Sequence, residues 1–146
     1  MRLTLEPSLD PADYSFAHSI RPRFAETDAM GIIHHSAYAV YLEEARVAYL
    51  TAMGHPYREV RSGGVDFAVL ELFVAYRLPL HFDDGVTVHL GLGEVTRATF
   101  QLAYLLSVDG VAHTTAVTVH GAVDHEGRAT RLPRFFRDLP ISGRRE

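Results

Sequence analysis

Residues 27–46 read TDAMGIIHHSAYAVYLEEAR, and this stretch joins a short polar loop to a long apolar helix. The loop contains Asp28, Gly31 and the adjacent pair His34 and His35. The apolar residues that follow recur at helical spacing, without an interrupting glycine or proline. The pattern therefore predicts a carboxylate and an imidazole near the N-terminus of a buried helix. Unpaired backbone N–H groups at such a terminus favour developing negative charge.

The helix itself is predicted over residues 36–53, and Gly54 supplies its C-terminal stop signal. Val40, Val47 and Leu50 extend its apolar surface nearly all the way round, so we expect the helix to be covered on most sides. Its main apolar stripe comprises Tyr38, Tyr41, Leu42, Ala45, Tyr49 and Ala52.

Five segments with strand patterns surround this helix in the sequence. Residues 65–78 are apolar on both faces, which predicts a central strand. Asp109 and Gly110 predict a two-residue hairpin turn. The five predicted strands cover residues 14–24, ending near Pro22, and residues 65–78, 86–95, 100–108 and 111–123. One helix and five antiparallel strands predict an α+β domain in which the sheet curls around the helix.

The segments outside these elements are polar. Residues 56–64 predict a connector with one helical turn, and the arginine-rich residues 128–145 predict a solvated end. The length of 146 residues predicts a single domain over residues 1–146.

Composition excludes several classes of function. A net charge of −4 argues against a nucleic-acid partner. The absence of cysteine excludes disulfides, thiolate metal sites and a cysteine nucleophile, and the absence of lysine excludes a lysine Schiff base. Residues 1–13 lack the apolar core of a signal peptide, and no apolar run is long enough to span a bilayer. We therefore expect a cytoplasmic protein without a membrane partner.

The loop and helix resemble the signature of the hotdog-fold acyl-CoA thioesterases, in the branch similar to 4-hydroxybenzoyl-CoA thioesterase and YbgC. That signature reads roughly T-D-A-x-G, two hydrophobic residues, x-H-x-x-Y, and then E-x-A-R on the helix. The matching residues are Thr27, Asp28, Ala29, Gly31, Ile32, Ile33, His35, Tyr38, Glu43, Ala45 and Arg46. Met30 departs from a frequent second glycine and Ala37 from a frequent asparagine. A second stretch, residues 63–88, resembles the family's second strand and the turn after it.

The resemblance implies hydrolysis of an acyl-CoA thioester to a free acid and CoA, without a cofactor or a metal. It implies that Asp28 is the nucleophile or the general base, two roles that the sequence does not separate. It also implies that His35 positions the thioester, with its backbone N–H beside the thioester oxygen. Tyr38 is a candidate substrate contact that also suits the core. The implied assembly is a homodimer or homotetramer with active sites at the subunit interface.

Other interpretations of these residues stay open. Asp28 also suits a turn, where its carboxylate would accept backbone N–H groups. Glu43 or Glu44 is a rival catalytic carboxylate, because another hotdog branch uses an acid within this helix. CoA carries phosphates that arginine binds well, and Arg97 is the first candidate for that contact and Arg61 the second.

Three other functions compete with thioester hydrolysis. They are a non-catalytic acyl-CoA-binding hotdog module, a hotdog hydratase or dehydratase, and a structural oligomerisation domain. The sequence contains no G-x-S-x-G, no H-E-x-x-H and no glycine-rich phosphate loop after a strand. It therefore gives no support to a serine hydrolase, a zinc hydrolase or a P-loop nucleotide-binding protein.

Overall fold

The computed structural model describes residues 5–145, which form one antiparallel sheet and two helices. The strands are β1 Phe16–Ile20, β2 Asp66–Tyr76, β3 Val86–Val95, β4 Thr99–Val108 and β5 Val111–Val123. The helices are α1 Ala37–Ala52 and α2 Tyr57–Ser62. Short 3-10 turns occupy Pro11–Asp13, Phe24–Glu26 and Arg134–Asp138.

The sheet has the strand order β1-β3-β4-β5-β2, and every neighbouring pair is antiparallel. Helix α1 packs on one face of this sheet, so the main core lies between them. Alternate residues of β3 and β4 supply the sheet side of the core, as their sequence pattern predicts: Val86, Val88, Leu90, Leu92, Phe100, Leu102, Tyr104 and Leu106. This arrangement is the predicted α+β sheet around one long helix.

Helix α1 ends where the sequence predicts. Gly54 adopts a positive φ of 87°, its N–H donates to Thr51, and the N–H of His55 donates to Leu50. This pair of bonds is a Schellman motif, which requires the left-handed conformation that glycine tolerates. In residues 5–145, no helix is both long and apolar enough to cross a membrane.

Two strand predictions need correction. β1 is shorter than predicted, because Pro22 lacks the N–H that would continue the ladder and the chain then turns through Phe24–Glu26. β2 is an edge strand within this chain and not a central one. Five of its apolar residues are about half exposed, at 48 to 53%: Val69, Leu70, Leu72, Phe73 and Tyr76.

The C-terminal segment is not the solvated end that its arginines predict. Phe136 is buried in the main core, and Ile141 forms a parallel bridge with Leu92. Gly143 packs against Tyr14 and Ala103 on the opposite face of the sheet. Apolar residues between the arginines therefore anchor this segment to the sheet.

Candidate active site

The loop before α1 is a small hairpin closed by its own backbone. The N–H of Asp28 donates to Ile32 at 2.8 Å, and the N–H of Gly31 donates to Asp28 at 3.0 Å. Gly31 has a φ of 80°, which glycine adopts without strain. Asp28 Oδ1 accepts the N–H groups of Met30 at 2.8 Å and Ile32 at 3.4 Å. One carboxylate oxygen is thereby held by the turn, while Oδ2 makes no hydrogen bond within the described part of the chain.

A surface cleft of about 390 Å³ opens beside this carboxylate. Its walls come from the loop, the start of α1 and the end of β2: Asp28, Ile32, Ile33, His35, Tyr38, Tyr76, Arg77, Leu78 and Pro79. The carbonyl of His35 accepts the Tyr76 hydroxyl at 3.4 Å. The N–H of His35 donates to no acceptor in residues 5–145 and remains available to a ligand.

Glu26, a partly buried glutamate, attaches the same loop to α1. Glu26 Oε1 accepts the Tyr41 hydroxyl at 2.6 Å and the backbone N–H of Arg23 at 2.7 Å. The carbonyl of Glu26 also accepts the N–H of His34 at 2.7 Å. Burial alone would raise the pKa of Glu26, but the hydrogen bonds from Tyr41 and Arg23 outweigh it and hold this pKa below its ordinary value.

The structure brings three of the five predicted site residues together. Asp28, His35 and Tyr38 line one cleft, with Tyr38 buried and its ring 4.9 Å from the ring of Tyr76. The two predicted phosphate contacts lie elsewhere in the chain. Arg61 pairs with Asp66 at 2.7 Å, at the start of β2 and therefore at the other end of the sheet.

Arg97 also lies at that other end, in the turn between β3 and β4. It lines a separate open cleft of about 770 Å³ with three arginines of the C-terminal segment, Arg131, Arg134 and Arg137. This segment was predicted to be solvated, so its contribution to an arginine-lined cleft was not foreseen.

The rival helix acids have other contacts. Glu44 Oε2 lies 2.7 Å from His18 Nε2, and Glu43 Oε2 lies 3.9 Å from the Arg46 guanidinium. Neither side chain lines the Asp28 cleft. The described residues contain no group of three or more histidine, cysteine, aspartate or glutamate side chains that could hold a metal ion.

Sequence reasoning missed one wall of the cleft, which is formed by Tyr76, Arg77, Leu78 and Pro79. Tyr76 is the last residue of β2, and the other three follow it in a turn. Their positions depend on the pairing of β2 with β5, and the backbone of Arg77 is fixed by a hydrogen bond to His113. No local motif marks them, because only that long-range register brings them beside the loop.

Comparison with known proteins identifies the family. Residues 22–139 match the model of the thioesterase-like superfamily. A solved structure from Thermus thermophilus, the hypothetical protein TT1821, is 40% identical, covers 84% of this chain and 95% of its own, and superposes with a TM-score of 0.80.

Two curated relatives carry names that describe an activity. The 1,4-dihydroxy-2-naphthoyl-CoA hydrolase of Synechococcus elongatus is 28% identical over 130 residues, which are 87% of this chain and 94% of that protein. The acyl-CoA thioesterase YbgC of Haemophilus influenzae is 28% identical over 88 residues, 60% of this chain and 65% of that protein. The resemblance read from the loop and helix is thereby confirmed. The chain belongs to the thioesterase-like superfamily, and it is a thioester hydrolase with the hotdog fold.

Proposed function

We propose that this protein hydrolyses an acyl-CoA to a free acid and CoA, with Asp28 as the catalytic carboxylate. The observation that carries the proposal is that only one of the two carboxylate oxygens of Asp28 is hydrogen-bonded by the loop. The loop holds Oδ1 through two backbone N–H groups, while Oδ2 is left for chemistry in an open cleft. The names of the relatives support acyl-CoA as the substrate class.

Two balanced routes are open to this carboxylate. As a nucleophile, Oδ2 attacks the thioester carbonyl carbon, and the C–S bond breaks as the CoA thiolate departs. The acyl group then forms a mixed anhydride with Asp28, which water hydrolyses. As a general base, Oδ2 takes a proton from water, and the resulting hydroxide attacks the same carbon. The C–S bond then breaks, and the departing thiolate can take the proton from the Asp28 carboxyl. Both routes place negative charge on the thioester oxygen in the transition state.

The backbone N–H of His35 is our candidate donor to that oxygen. It precedes the first turn of α1, where unpaired N–H groups and the helix dipole favour negative charge. The His35 ring is exposed and stacks on His34 at a centroid distance of 4.1 Å, which suits contact with substrate or water. Tyr38 forms the floor of the cleft in this proposal and limits how deeply the acyl carbonyl enters.

We also propose that the working protein is a symmetric homodimer joined through β2. An edge strand with half-exposed apolar residues favours pairing with another strand, and β2 is such an edge. On α1, Val40 and Val47 are exposed as well, at 58% and 44%. A two-fold axis would pair β2 antiparallel with the same strand of a second copy.

This pairing would join opposite ends of the two chains. Tyr76 ends β2 beside the Asp28 cleft, while Asp66 begins it beside Arg61. In an antiparallel pair, the start of one β2 lies beside the end of the other. The basic end of one subunit would then approach the carboxylate of its partner, and a bound CoA would have arginines within reach of its phosphates.

A panel of acyl-CoAs with a thiol-detecting dye tests the proposed reaction. The chain contains no cysteine, so the dye reports only the CoA that is released. We expect thiol release from at least one acyl-CoA at a rate that is proportional to protein. Absence of release across short, long and aromatic acyl groups would instead favour the binding module or the structural domain.

A further inference from the structure

A cavity of about 310 Å³, which we call the Arg46 cavity, lies between the C-terminal half of α1 and the sheet. Its walls are mainly aromatic and aliphatic, and Arg46 contributes to them from the helix. The Tyr49 hydroxyl and His120 Nδ1 are buried in this lining and have no hydrogen-bond partner within residues 5–145. Unpaired polar groups in an apolar space favour a bound ligand, so the route into the cavity bears on function.

Phe136 is the only described residue that lines both this cavity and the open arginine-lined cleft of about 770 Å³. The residue is 3% exposed, and its ring centroid lies 4.7 Å from that of Phe100 and 5.4 Å from that of Phe67, two other cavity residues. The cleft that it also lines contains Arg97 and Arg137. Phe136 therefore separates a buried apolar space from an open basic one.

The Arg46 cavity has a second side, which faces the proposed dimer interface. Val47 on α1 and Val69 on β2 line it and are 44% and 52% exposed in one chain. In a dimer joined through β2, a second copy would cover these residues. It would also place its Asp28 cleft beside the cavity, because Val69 lies near the start of β2 and Tyr76 at its end. Entry from solvent then depends on the wall that contains Phe136.

Phe136 is carried by residues 133–145, a segment that we call the strap. Over residues 133–139, which include a 3-10 turn, its backbone makes no hydrogen bond to the sheet within the described chain. Two aromatic contacts hold this stretch instead: Phe135 stacks on His55 at a centroid distance of 3.7 Å, and Phe136 packs in the main core. A segment with few backbone hydrogen bonds to its surroundings opens locally more readily than a strand of the sheet.

The start of the strap is fixed to the sheet. The N–H of Leu132 donates to the carbonyl of Arg97 at 3.0 Å, and the N–H of Thr130 donates to Ala122 on β5 at 3.0 Å. Pro133 follows directly, and it has no N–H that could extend these bonds into the strap. Leu132 and Pro133 therefore have the properties of a hinge.

The end of the strap is fastened to the N-terminal segment, and we call this contact between residues 6–15 and 142–145 the latch. The N–H of Gly143 donates to Asp13 at 2.7 Å, and the carbonyl of Gly143 accepts the N–H of Ser8 at 2.9 Å. These bonds hold the strap in its closed position.

Release of the latch leaves the sheet intact. Its N-terminal half precedes β1 and belongs to no strand. In the described chain, a single backbone hydrogen bond joins residues 142–145 to a strand, from the N–H of Ser142 to Leu92 on β3 at 3.0 Å. The ion pair between Glu6 and Arg145, at 3.2 Å, is exposed and contributes little.

We propose that the strap swings about Leu132 and Pro133 when the latch releases, and that withdrawal of Phe136 joins the Arg46 cavity to the arginine-lined cleft. The inference rests on the proposed acyl-CoA hydrolysis and its dimer, and it adds the route by which a ligand enters or leaves the cavity. The closed strap keeps the ligand against the cavity walls. The open strap creates one continuous space between apolar and basic walls.

Amide hydrogen exchange of the native protein tests whether the latch opens as a unit. We expect the N–H groups of Ser142, Gly143 and Arg145 to share one free energy of opening that is lower than for β4 and β5, because one movement exposes all three. The Leu132 N–H, on the fixed side of the hinge, should exchange more slowly than these. Exchange of the three groups as slowly as in β4 would overturn the proposal.

Phe135→Ala distinguishes a moving strap from fraying of the last residues. The substitution removes the stack on His55 that holds the middle of the strap. If the strap moves as one unit, exchange at Gly143 should become about 3- to 10-fold faster. Phe24→Ala is the control, because it removes a ring contact with Phe82 that includes no strap residue, and it should leave this exchange unchanged. Unchanged exchange at Gly143 in Phe135→Ala would reject the strap.

A disulfide across the latch tests access to the cavity. Ser15 Oγ and Ser142 Oγ are 3.0 Å apart, so cysteines at both positions can form an S–S bond with little movement. The chain contains no other cysteine, so the bond is unambiguous and a reductant reverses it. We expect kcat/KM of oxidised Ser15→Cys/Ser142→Cys protein to be about 10-fold or more below that of its reduced form, because the strap stays closed.

The loss of thioester absorbance follows this reaction in the presence of reductant, and Ser142→Cys alone is the control that should behave alike in both conditions. Equal kcat/KM for the oxidised and reduced double variant would reject the route and retain the proposed hydrolysis. If no form hydrolyses any acyl-CoA, the proposed function fails, while hydrogen exchange still decides whether the strap opens.

Discussion

The Asp28 cleft and the Arg46 cavity lie along the same helix, α1, but the chain builds them in different ways. The turn around Asp28 is closed by hydrogen bonds between residues at most eight positions apart, from Glu26 to His34, and the N–H of Ile33 attaches it to the distant Leu80 carbonyl at 2.8 Å. The cavity combines side chains from residue 43 to residue 136, carried by six different segments. The turn around Asp28 is therefore local in sequence, whereas the far wall of its cleft and the whole cavity depend on the register of strands.

The two regions also differ in how they leave polar groups free. At the cleft, a carboxylate oxygen and a backbone N–H face solvent, where water and a thioester can reach them. In the cavity, the unpaired groups are buried, so only a ligand that fits can use them. An exposed charge suits a reaction with water, and buried donors suit selection between ligands.

The Asp28 side of this contrast is tested by Asp28→Asn. The amide keeps the size and the Oδ1 acceptor of the turn but removes the charge of Oδ2. We expect kcat to fall by about 10²-fold or more with little change in melting temperature, because the catalytic group is lost and the loop is kept. Thiol release and melting curves measure the two effects.

Asp124→Asn is the matched control for that substitution. Asp124 Oδ1 accepts the N–H groups of Glu126 and Arg128, at the same i+2 and i+4 spacing as in the Asp28 loop. If Asp28 were only a turn residue, both variants would behave alike and activity would persist. Glu43→Gln and Glu44→Gln test the rival acids. If either variant is inactive while the Asp28→Asn protein remains active, the proposed mechanism is rejected.

A neighbouring substitution separates the side chain of His35 from its backbone. His35→Ala removes the ring and keeps the N–H that we propose as the donor to the thioester oxygen. We therefore expect a smaller loss of kcat than in Asp28→Asn, measured under the same conditions. A loss as large as that of Asp28→Asn would assign the catalytic role to the ring.

The connection between the two regions is tested at the edge strand. Leu72→Glu places a charge at a half-exposed position of β2, and Val111→Glu does the same at a half-exposed position of β5. In a dimer paired through β2, only Leu72→Glu buries an uncompensated charge, so we expect its dimer to weaken by about 10-fold or more. Light scattering should then give the mass of one chain, and thiol release should fall with the dimer. A wild-type protein that is monomeric at micromolar concentration would contradict the assembly.

The same contrast explains what the sequence could predict. Local signals predicted the end of α1 at Gly54, the Asp109–Gly110 turn and the loop around Asp28, because each depends on a few consecutive residues. The apolar pattern of residues 65–78 could not reveal that β2 lies at an edge of the sheet in this chain, since an edge strand with apolar residues on both faces has the composition of a buried one.

The cavity was beyond sequence reasoning for a related physical reason. Tyr49 and Arg46 are i and i−3 on one helix, but His120 reaches them only through the pairing of β5 with β4 and β2. A lone histidine in an apolar strand carries no signal of its partners. The packing of the arginine-rich C-terminal segment was missed similarly, because Phe136 and Ile141 meet residues far away in the sequence.

Substitution of Arg97 tests whether this arginine binds a phosphate of CoA. If Arg97 binds a CoA phosphate, Arg97→Ala should raise KM by about 2- to 5-fold, since exposed charge pairs contribute up to about 1 kcal/mol. It should leave kcat nearly unchanged, because a remote phosphate contact is the same in the ground and transition states. Added salt should raise the wild-type KM by screening. Arg128→Ala, at an exposed arginine near Glu126, is the control, and an unchanged KM in Arg97→Ala would direct attention to Arg61.

The smallest expected effect concerns how firmly the loop is attached to α1. The pKa of Glu26 is below its ordinary value of about 4.5, despite burial, because Tyr41 and Arg23 donate hydrogen bonds to the carboxylate. A carboxyl whose pKa is lower in the folded state stabilises the fold above its unfolded pKa, and that stabilisation is lost as the pH falls through the folded pKa. We therefore expect the melting temperature of the wild type to fall more steeply than that of Glu26→Gln between neutral pH and about pH 4.

Glu126→Gln is the control for this measurement, because Glu126 is exposed in a surface turn. Its acid dependence should match that of the wild type. At neutral pH, Glu26→Gln should melt at a slightly lower temperature and lose some activity, since the loop that holds Asp28 is tied to α1 through Tyr41. Parallel pH curves for the wild type and Glu26→Gln would mean that the loop is held by its backbone bonds alone, among them the bond from the Ile33 N–H to the Leu80 carbonyl.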